Sequence, residues 1–355
     1  MRETQPQFRP IALRVLNERY LRRDPEGRII ETPEGLFRRV AQTVAAAEAH
    51  YSGPEPAARQ AEAFYAAMTS LKFLPNTPTL MNAGLPRGQL AACFVIPIAD
   101  DMRSILEGVR DMALIHQTGG GTGFNFSHLR PRGDQVRSTG RVASGPVGFM
   151  RIFDTATEVV KQGGRRRGAN MGILRVDHPD ILEFITAKGD QGMLANFNLS
   201  VAVTDDFMHR VEADETYPLI NPRTAQEVRR LKAQEVFDLI CGAALTTGDP
   251  GLVFMDAIER ANPTPEIGPL EATNPCGEQP LLAYEACNLG SINLAALVNE
   301  GKLDWDELDR LVALGVSFLD NVIDQSHYPL PQITAIVHAN RKIGLGVMGL
   351  ADMFI

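Results

Sequence analysis

The sequence predicts an α/β protein, and two observations carry the prediction. Stretches with apolar residues at helical spacing take turns with stretches that read as strands. One strand pattern is explicit: Phe197, Leu199, Val201 and Val203 alternate with Asn196, Asn198, Ser200 and Ala202, giving one apolar and one polar face. Residues 1–72 differ. Their periodicity is helical throughout, so they form a small helical domain ahead of the α/β part.

In chain order, Thr32-Pro33-Glu34 starts a helix, with a capping hydroxyl followed by proline at the first helical position. Leu36, Val40, Val44 and Ala47 form its apolar face. Gly53-Pro54 breaks it, and a second helix carries Ala61, Phe64, Met68 and Leu71. A polar, Pro-punctuated loop runs from Pro75 to Gly84, and Leu90 to Ile98 reads as a buried strand containing Cys93. Asp100-Asp101 opens a helix with Met102, Ile105, Leu106, Val109, Met112 and Ala113 on one face, acidic residues suiting its first turn. Thr118-Gly119-Gly120-Gly121-Thr122-Gly123 ends that helix, and Phe124 to Ser127 reads as the next strand.

A helix from about Val147 to Lys161 leads to Gly163-Gly164-Arg165-Arg166-Arg167-Gly168. Met171 to Val176 reads as a strand, Pro179 begins a short helix, and Thr204-Asp205-Asp206 caps another. Residues 212–232 form a surface excursion. Gln234 to Thr247 is a helix with Cys241 in its core face, and the turn Gly248-Asp249-Pro250-Gly251 leads to a further helix ending at Arg260. Asp304-Trp305-Asp306-Glu307 resembles a capping box for a helix bearing Leu308, Val312, Val316, Leu319 and Ile323. The apolar stretch Ile343 to Ile355 has no closing charged turn, so the sequence is expected to be part of something longer.

The 355 residues are enough to bury a stable core. Apolar content of 44% and charged content of 22% are those of an ordinary globular protein. A net charge of −8 argues against a general nucleic-acid or membrane-surface binder. No apolar run is long enough to span a membrane, and the N-terminus has no secretory h-region. The four cysteines show neither a CxxC pair nor zinc spacing, and the seven histidines are scattered, so no metal site is expected. Sparse cysteine suits a reducing, cytoplasmic setting in which thiols serve chemistry.

The densest chemical signal is Asn274-Pro275-Cys276-Gly277-Glu278, followed by Cys287. In an extended loop, Asn274, Cys276 and Glu278 project to one side and can face one ligand together. A buried structural cysteine beside a solvent-facing glutamate is the alternative. The glycine run at 119–123 is open to two readings, a backbone cradle for phosphate or a tight helix-to-strand connection. The arginines at 165–167 either fork onto phosphate or form a solvated turn.

From about residue 73 to its end, the chain resembles the adenosylcobalamin-dependent (class II) ribonucleotide reductases. The resemblance rests on Phe73 to Gly84, Ala92-Cys93-Phe94-Val95, Ser144-Gly145-Pro146, Gln162 to Met171, Asn196 to Val201 and Asn274 to Glu278. It implies the first half of a ten-stranded α/β barrel with a central cysteine loop over residues 73–355, preceded by the helical domain at 1–72. It implies that Cys276 becomes a thiyl radical and abstracts the ribose 3′-hydrogen. Glu278 then takes the 3′-hydroxyl proton, Asn274 holds the sugar hydroxyls, and Cys93 with Cys287 supplies two electrons.

The same resemblance assigns substrate binding to Pro78, Thr79 and Ala92. It assigns effector binding to Asp101, Arg130, Gly164, Arg165 and Arg166, near a dimer interface on the helices around 101–117 and 147–161. Adenosylcobalamin is the implied cofactor. The implied partners are a ribonucleotide, preferably a diphosphate, a nucleoside triphosphate effector, a second copy of the chain and a thiol reductant such as thioredoxin. A separate chain supplying the second barrel half belongs to the same expectation. Two alternatives stand beside this reading: the large subunit of a class I reductase, and a nucleotide-binding fragment without catalysis. Cys241 has no implied role.

Overall fold

The computed structural model describes residues 8–136, 141–160, 168–189 and 192–355. The chain divides into two compact units, Met1–Ala92 with Ala286–Ile355, and Cys93–Glu285. No helix among the described residues is long and apolar enough to cross a membrane.

In the first unit, the helix Pro33–Ala45 begins where the Thr32 side chain accepts the Gly35 amide, as its sequence predicts. Leu36, Val40 and Val44 are buried, and so are Phe64 and Met68 of the following helix Pro54–Thr69. Leu71 lies beyond that helix, in left-handed backbone at φ 56°. The unit's sheet has the strand Ala286–Asn293 at its centre. Phe73–Pro75 pairs with it antiparallel and Ile343–Met348 pairs with it parallel. The apolar stretch at the end of the sequence is thus a strand followed by the helix Leu350–Phe354.

The helix Trp305–Gln325 starts where Asp304 accepts the Glu307 amide at 3.0 Å. Its buried face differs from the one read in the sequence. Leu319 and Ile323 are buried, but Val312 and Val316 are 41% and 43% exposed, and Leu311 and Phe318 take their place. The reason is aromatic packing. Phe318 meets the Phe64 ring edge-on at 4.9 Å and the Phe73 ring at 5.2 Å. Phe318→Ala is expected to cost about 3–5 kcal/mol, measured by urea unfolding of the purified protein. A loss near zero would mean that this cluster does not hold the helix.

Glu307 anchors the start of the same helix. Its carboxylate takes Arg310 at 2.6 Å and Lys72 at 2.7 Å. Arg310 above all, then Lys72, holds its pKa at about 2, against burial that pushes it upward. A carboxyl lowered on folding stabilises the fold above its ordinary value of 4.5 and loses that contribution as pH falls toward 2. Glu307→Gln is therefore expected to flatten the acid-unfolding curve between those limits. An unchanged curve would count against the pairing.

In the second unit, five parallel strands run in the order Cys93–Val95, Gly121–Asn125, Asn170–Arg175, Phe197–Val203 and Gly251–Phe254. Several strand limits depart from expectation. Of the run Leu90 to Ile98, only Cys93–Val95 is strand. The strand after the glycine run begins at Gly121, not Phe124, so Gly121 and Gly123 are strand residues. The turn at 248–251 leads first into a strand and then into the helix Met255–Arg260. The excursion at 212–232 contains a hairpin of Thr216–Ile220 and Glu227–Lys232.

The helix Met102–Thr118 is capped by Asp101, which accepts the Ser104 amide. Ile105 and Met112 face the core, whereas Met102 and Leu106 are 58% and 51% exposed. Cys241 is exposed, not a core residue, because the helix Ala233–Thr247 turns Val236 and Ile240 inward instead. Phe124, Phe126, Phe153 and Phe197 are fully buried, with Phe124 and Phe153 centroids 4.9 Å apart.

Candidate active site

The segment Asn274 to Glu278 is not extended. It is a tight turn joining the two-residue strands Ala272–Thr273 and Pro280–Leu281. The physical reason is Asn274, which is buried and closes the turn three times over. Its amide donates to the Gln279 carbonyl, its carbonyl accepts the Gly277 amide at 3.0 Å, and its side-chain oxygen accepts the Gln279 amide at 3.0 Å. Gly277 takes φ 82°, which favours glycine. Cys276 and Glu278 are consequently exposed.

The turn meets a second thiol. The Asn274 side-chain nitrogen donates to Cys93 Sγ at 3.1 Å, and Cys93 Sγ lies 3.9 Å from Glu278 Oε1. Cys93 is buried on its strand. An amide and a carboxylate from one turn thus converge on a thiol about 180 residues away in sequence.

Glycines seat this turn. A Cβ on Gly123 would stand 1.8 Å from the Thr273 carbonyl oxygen, and one on Gly121 would stand 2.7 Å from the Pro275 ring. The third support is Asn198, whose side-chain nitrogen donates to the Pro275 carbonyl at 2.6 Å. The glycine run is therefore a bed for the cysteine turn. The one signal in the sequence was the glycines themselves, and nothing local linked them to residues 150 positions later. Nearby, Glu271 lies 3.4 Å from His128 Nε2 and raises the histidine pKa.

Pro78, Thr79, Ala92 and Cys287 all lie in the first unit. Asn76 caps the helix Thr77–Asn82, which buries Pro78 and Thr79. The Thr79 hydroxyl donates to the Leu90 carbonyl at 3.1 Å, and the Ala92 amide donates to the carbonyl of the buried Cys287 at 3.2 Å. In the second unit, Asp101 and Arg130 are neighbours through Asp100. Arg130 Nε sits 2.9 Å from an Asp100 carboxylate oxygen, and its Nη groups reach backbone carbonyls. Gly164, Arg165 and Arg166 lie outside the described residues. Among the described residues, no group of three His, Cys, Asp or Glu is placed to hold a metal ion.

A helical segment ahead of a parallel α/β sheet, with a thiol-bearing turn seated on strand glycines, defines an α/β protein built around cysteine. The family description "Ribonucleotide reductase, barrel domain" matches residues 91–355, and "Ribonucleotide reductase, all-alpha domain" matches residues 6–88. This chain belongs to the ribonucleotide reductase large-chain family. It is 54% identical over 96% of its length to a vitamin B12-dependent ribonucleoside-diphosphate reductase of Mycobacterium tuberculosis, covering 49% of that protein. It is 47% identical over 97% of its length to a protein of the same description from Thermoplasma acidophilum, covering 52% of it. The chain spans about half the length of the curated relatives it matches.

Proposed function

We propose that this chain carries the thiol chemistry of an adenosylcobalamin-dependent ribonucleoside-diphosphate reductase. The convergence of Asn274 and Glu278 on Cys93, with Cys276 exposed on the same turn, carries the reading. Cys276, as a thiyl radical, takes the 3′-hydrogen of the ribose as an atom and leaves a radical on C3′. Glu278 accepts the 3′-hydroxyl proton, and Asn274 both shapes the turn and holds the sugar hydroxyls. Cys93 and Cys287 together give up two electrons and two protons and form a disulfide. One of these protons leaves with the 2′-hydroxyl as water and the other becomes the new hydrogen on C2′. Glu278 gives its proton back to the 3′-oxygen, and Cys276 returns its hydrogen to C3′ and is a thiyl radical again.

The cofactor, when bound, supplies the radical that side chains alone do not generate. The turn suits a bulky group approaching it, since Cys276 is exposed and a Cβ on Gly277 would meet nothing within 4 Å. Pro78, Thr79 and Ala92 form the substrate side of the reading. Asp101 and Arg130 form the effector side, Asp101 taking the ribose and Arg130, already oriented by Asp100, the phosphate. Gly164, Arg165 and Arg166 complete that assignment. The exposed Met102 and Leu106 support a dimer through the helix Met102–Thr118. Cytoplasmic thiol reductants such as thioredoxin would reopen the disulfide.

The test is reduction of a nucleoside diphosphate by the enzyme completed with the remaining half of its relatives' length. Product is expected only with adenosylcobalamin and a dithiol. Cys287→Ser is expected to stop deoxynucleotide formation while Cys276 still exchanges hydrogen with the substrate. Equal turnover without cobalamin would point to a radical from a separate metal-containing subunit, and the cofactor assignment would fall.

A further inference from the structure

The strand Gly121–Asn125 has two faces with different tasks. Gly121 and Gly123 point at the cysteine turn. Thr122, between them, points the other way, as strand geometry requires. There it enters a chain of buried polar side chains. Thr122, His116 and Asn170 are fully buried, and Thr157 is 1% exposed.

The direction of this chain is fixed by its acceptors. Thr122 Oγ1 lies 2.7 Å from Asn170 Oδ1, which only accepts, so the threonine hydrogen goes there. Thr122 must then accept from His116 Nε2 at 3.1 Å, so that nitrogen carries hydrogen. The Asn170 side-chain nitrogen donates to Thr157 Oγ1 at 2.8 Å, and Thr157 donates to the Phe153 carbonyl at 2.8 Å. The donors therefore run one way, from the helix Met102–Thr118 through two strands to the helix Gly145–Val159. Hydrogen bonds aligned in this way strengthen one another in a dry interior. Gly168 closes against the chain, for a Cβ there would stand 2.6 Å from His116 Nδ1 and 3.0 Å from Thr157 Cγ2.

We infer that this network positions the cysteine turn, with Thr122 as the central positioning residue. It touches neither thiol. It fixes the height and roll of the strand on whose opposite face the turn rests, where Gly121 and Gly123 leave no slack. Side chains around a reactive group hold it only as well as their own supports hold them. The catalytic consequence rests on the reductase reading proposed above; the positioning of the turn does not.

The experiment compares Thr122→Val with Thr122→Ser. Valine keeps the shape and removes the hydroxyl, whereas serine keeps the hydroxyl. Amide hydrogen exchange of residues 272–281 is read by mass spectrometry, because the Gly277 and Gln279 amides are bonded within the turn. Exchange is expected to speed up about tenfold in Thr122→Val and to stay near wild type in Thr122→Ser. In the completed enzyme, Thr122→Val is expected to lower kcat about tenfold with little change in KM. If Thr122→Val does not fold, Thr157→Val breaks the far end of the chain without altering the strand and is read the same way. Wild-type exchange in the folded valine variant overturns the inference, as does equal acceleration by serine. Exchange needs no turnover, so that failure leaves the reductase reading standing. A Cys276→Ser variant that still turned over would sink the reductase reading and leave the network in place.

Discussion

Gly123→Ala is expected to unseat the cysteine turn and lower turnover of the completed enzyme by about 100-fold or more. The new methyl group would stand 1.8 Å from the Thr273 carbonyl oxygen and 2.9 Å from its carbon. Both are backbone atoms, so neither can rotate away, and either the strand or the turn must shift. The turn is the weaker partner. It is tied down by the Asn274 bonds and by Asn198, whereas the strand lies within a five-stranded parallel sheet. A displacement of about 1 Å in reacting groups is enough for a loss of that size. Alkylation of the Cys276 thiol gives a readout on the chain itself: its rate is expected to change in Gly123→Ala, while that of the exposed Cys241 stays constant. Wild-type kinetics and an unchanged Cys276 rate would show that the contact relaxes elsewhere.

Cys276→Ser is expected to abolish reduction down to assay background, with the fold intact. A serine O–H bond is too strong to give up its hydrogen atom in place of the thiol, although the two side chains have almost the same shape. The substitution sits on an exposed turn held by Asn274, so stability has little reason to change. Substrate binding, measured by equilibrium dialysis of a nucleoside diphosphate, is expected to remain. Normal turnover in this variant would remove Cys276 from the mechanism. Cys241→Ser serves as the matched control and is expected to be silent.

Much of this was legible in the sequence. The alternation of apolar spacing predicted α/β, and the caps at Thr32, Thr204 and Asp304 were each recognisable from local chemistry, whereas Asp101 fits the first turn by its charge but stands one step earlier, as the cap. A cap depends on residues within three or four positions, so sequence carries it whole. Buried faces were less legible. Val312 and Val316 fit the helical period but lie outward, because Phe64 and Phe73, more than 200 residues earlier, set the direction of the core at Phe318. The same holds for Cys241, which helical spacing allows in the core but which lies outward while Val236 and Ile240 are buried. Helical spacing names a stripe, and packing partners choose which stripe is buried.

For Asn274 to Glu278, the sequence determined the ingredients: a thiol, an amide, a carboxyl and a glycine able to turn. Its resemblance to the reductases attached roles to them. Only the tertiary structure decided that these residues form a closed turn, that Asn274 spends its amide on Cys93, and that Gly121 and Gly123 exist to let the turn approach. The physical reason is distance along the chain. Hydrogen bonding within a turn is written in neighbouring residues, whereas the fit between a turn and a strand 150 residues away is fixed only when the sheet folds and brings their backbones into contact.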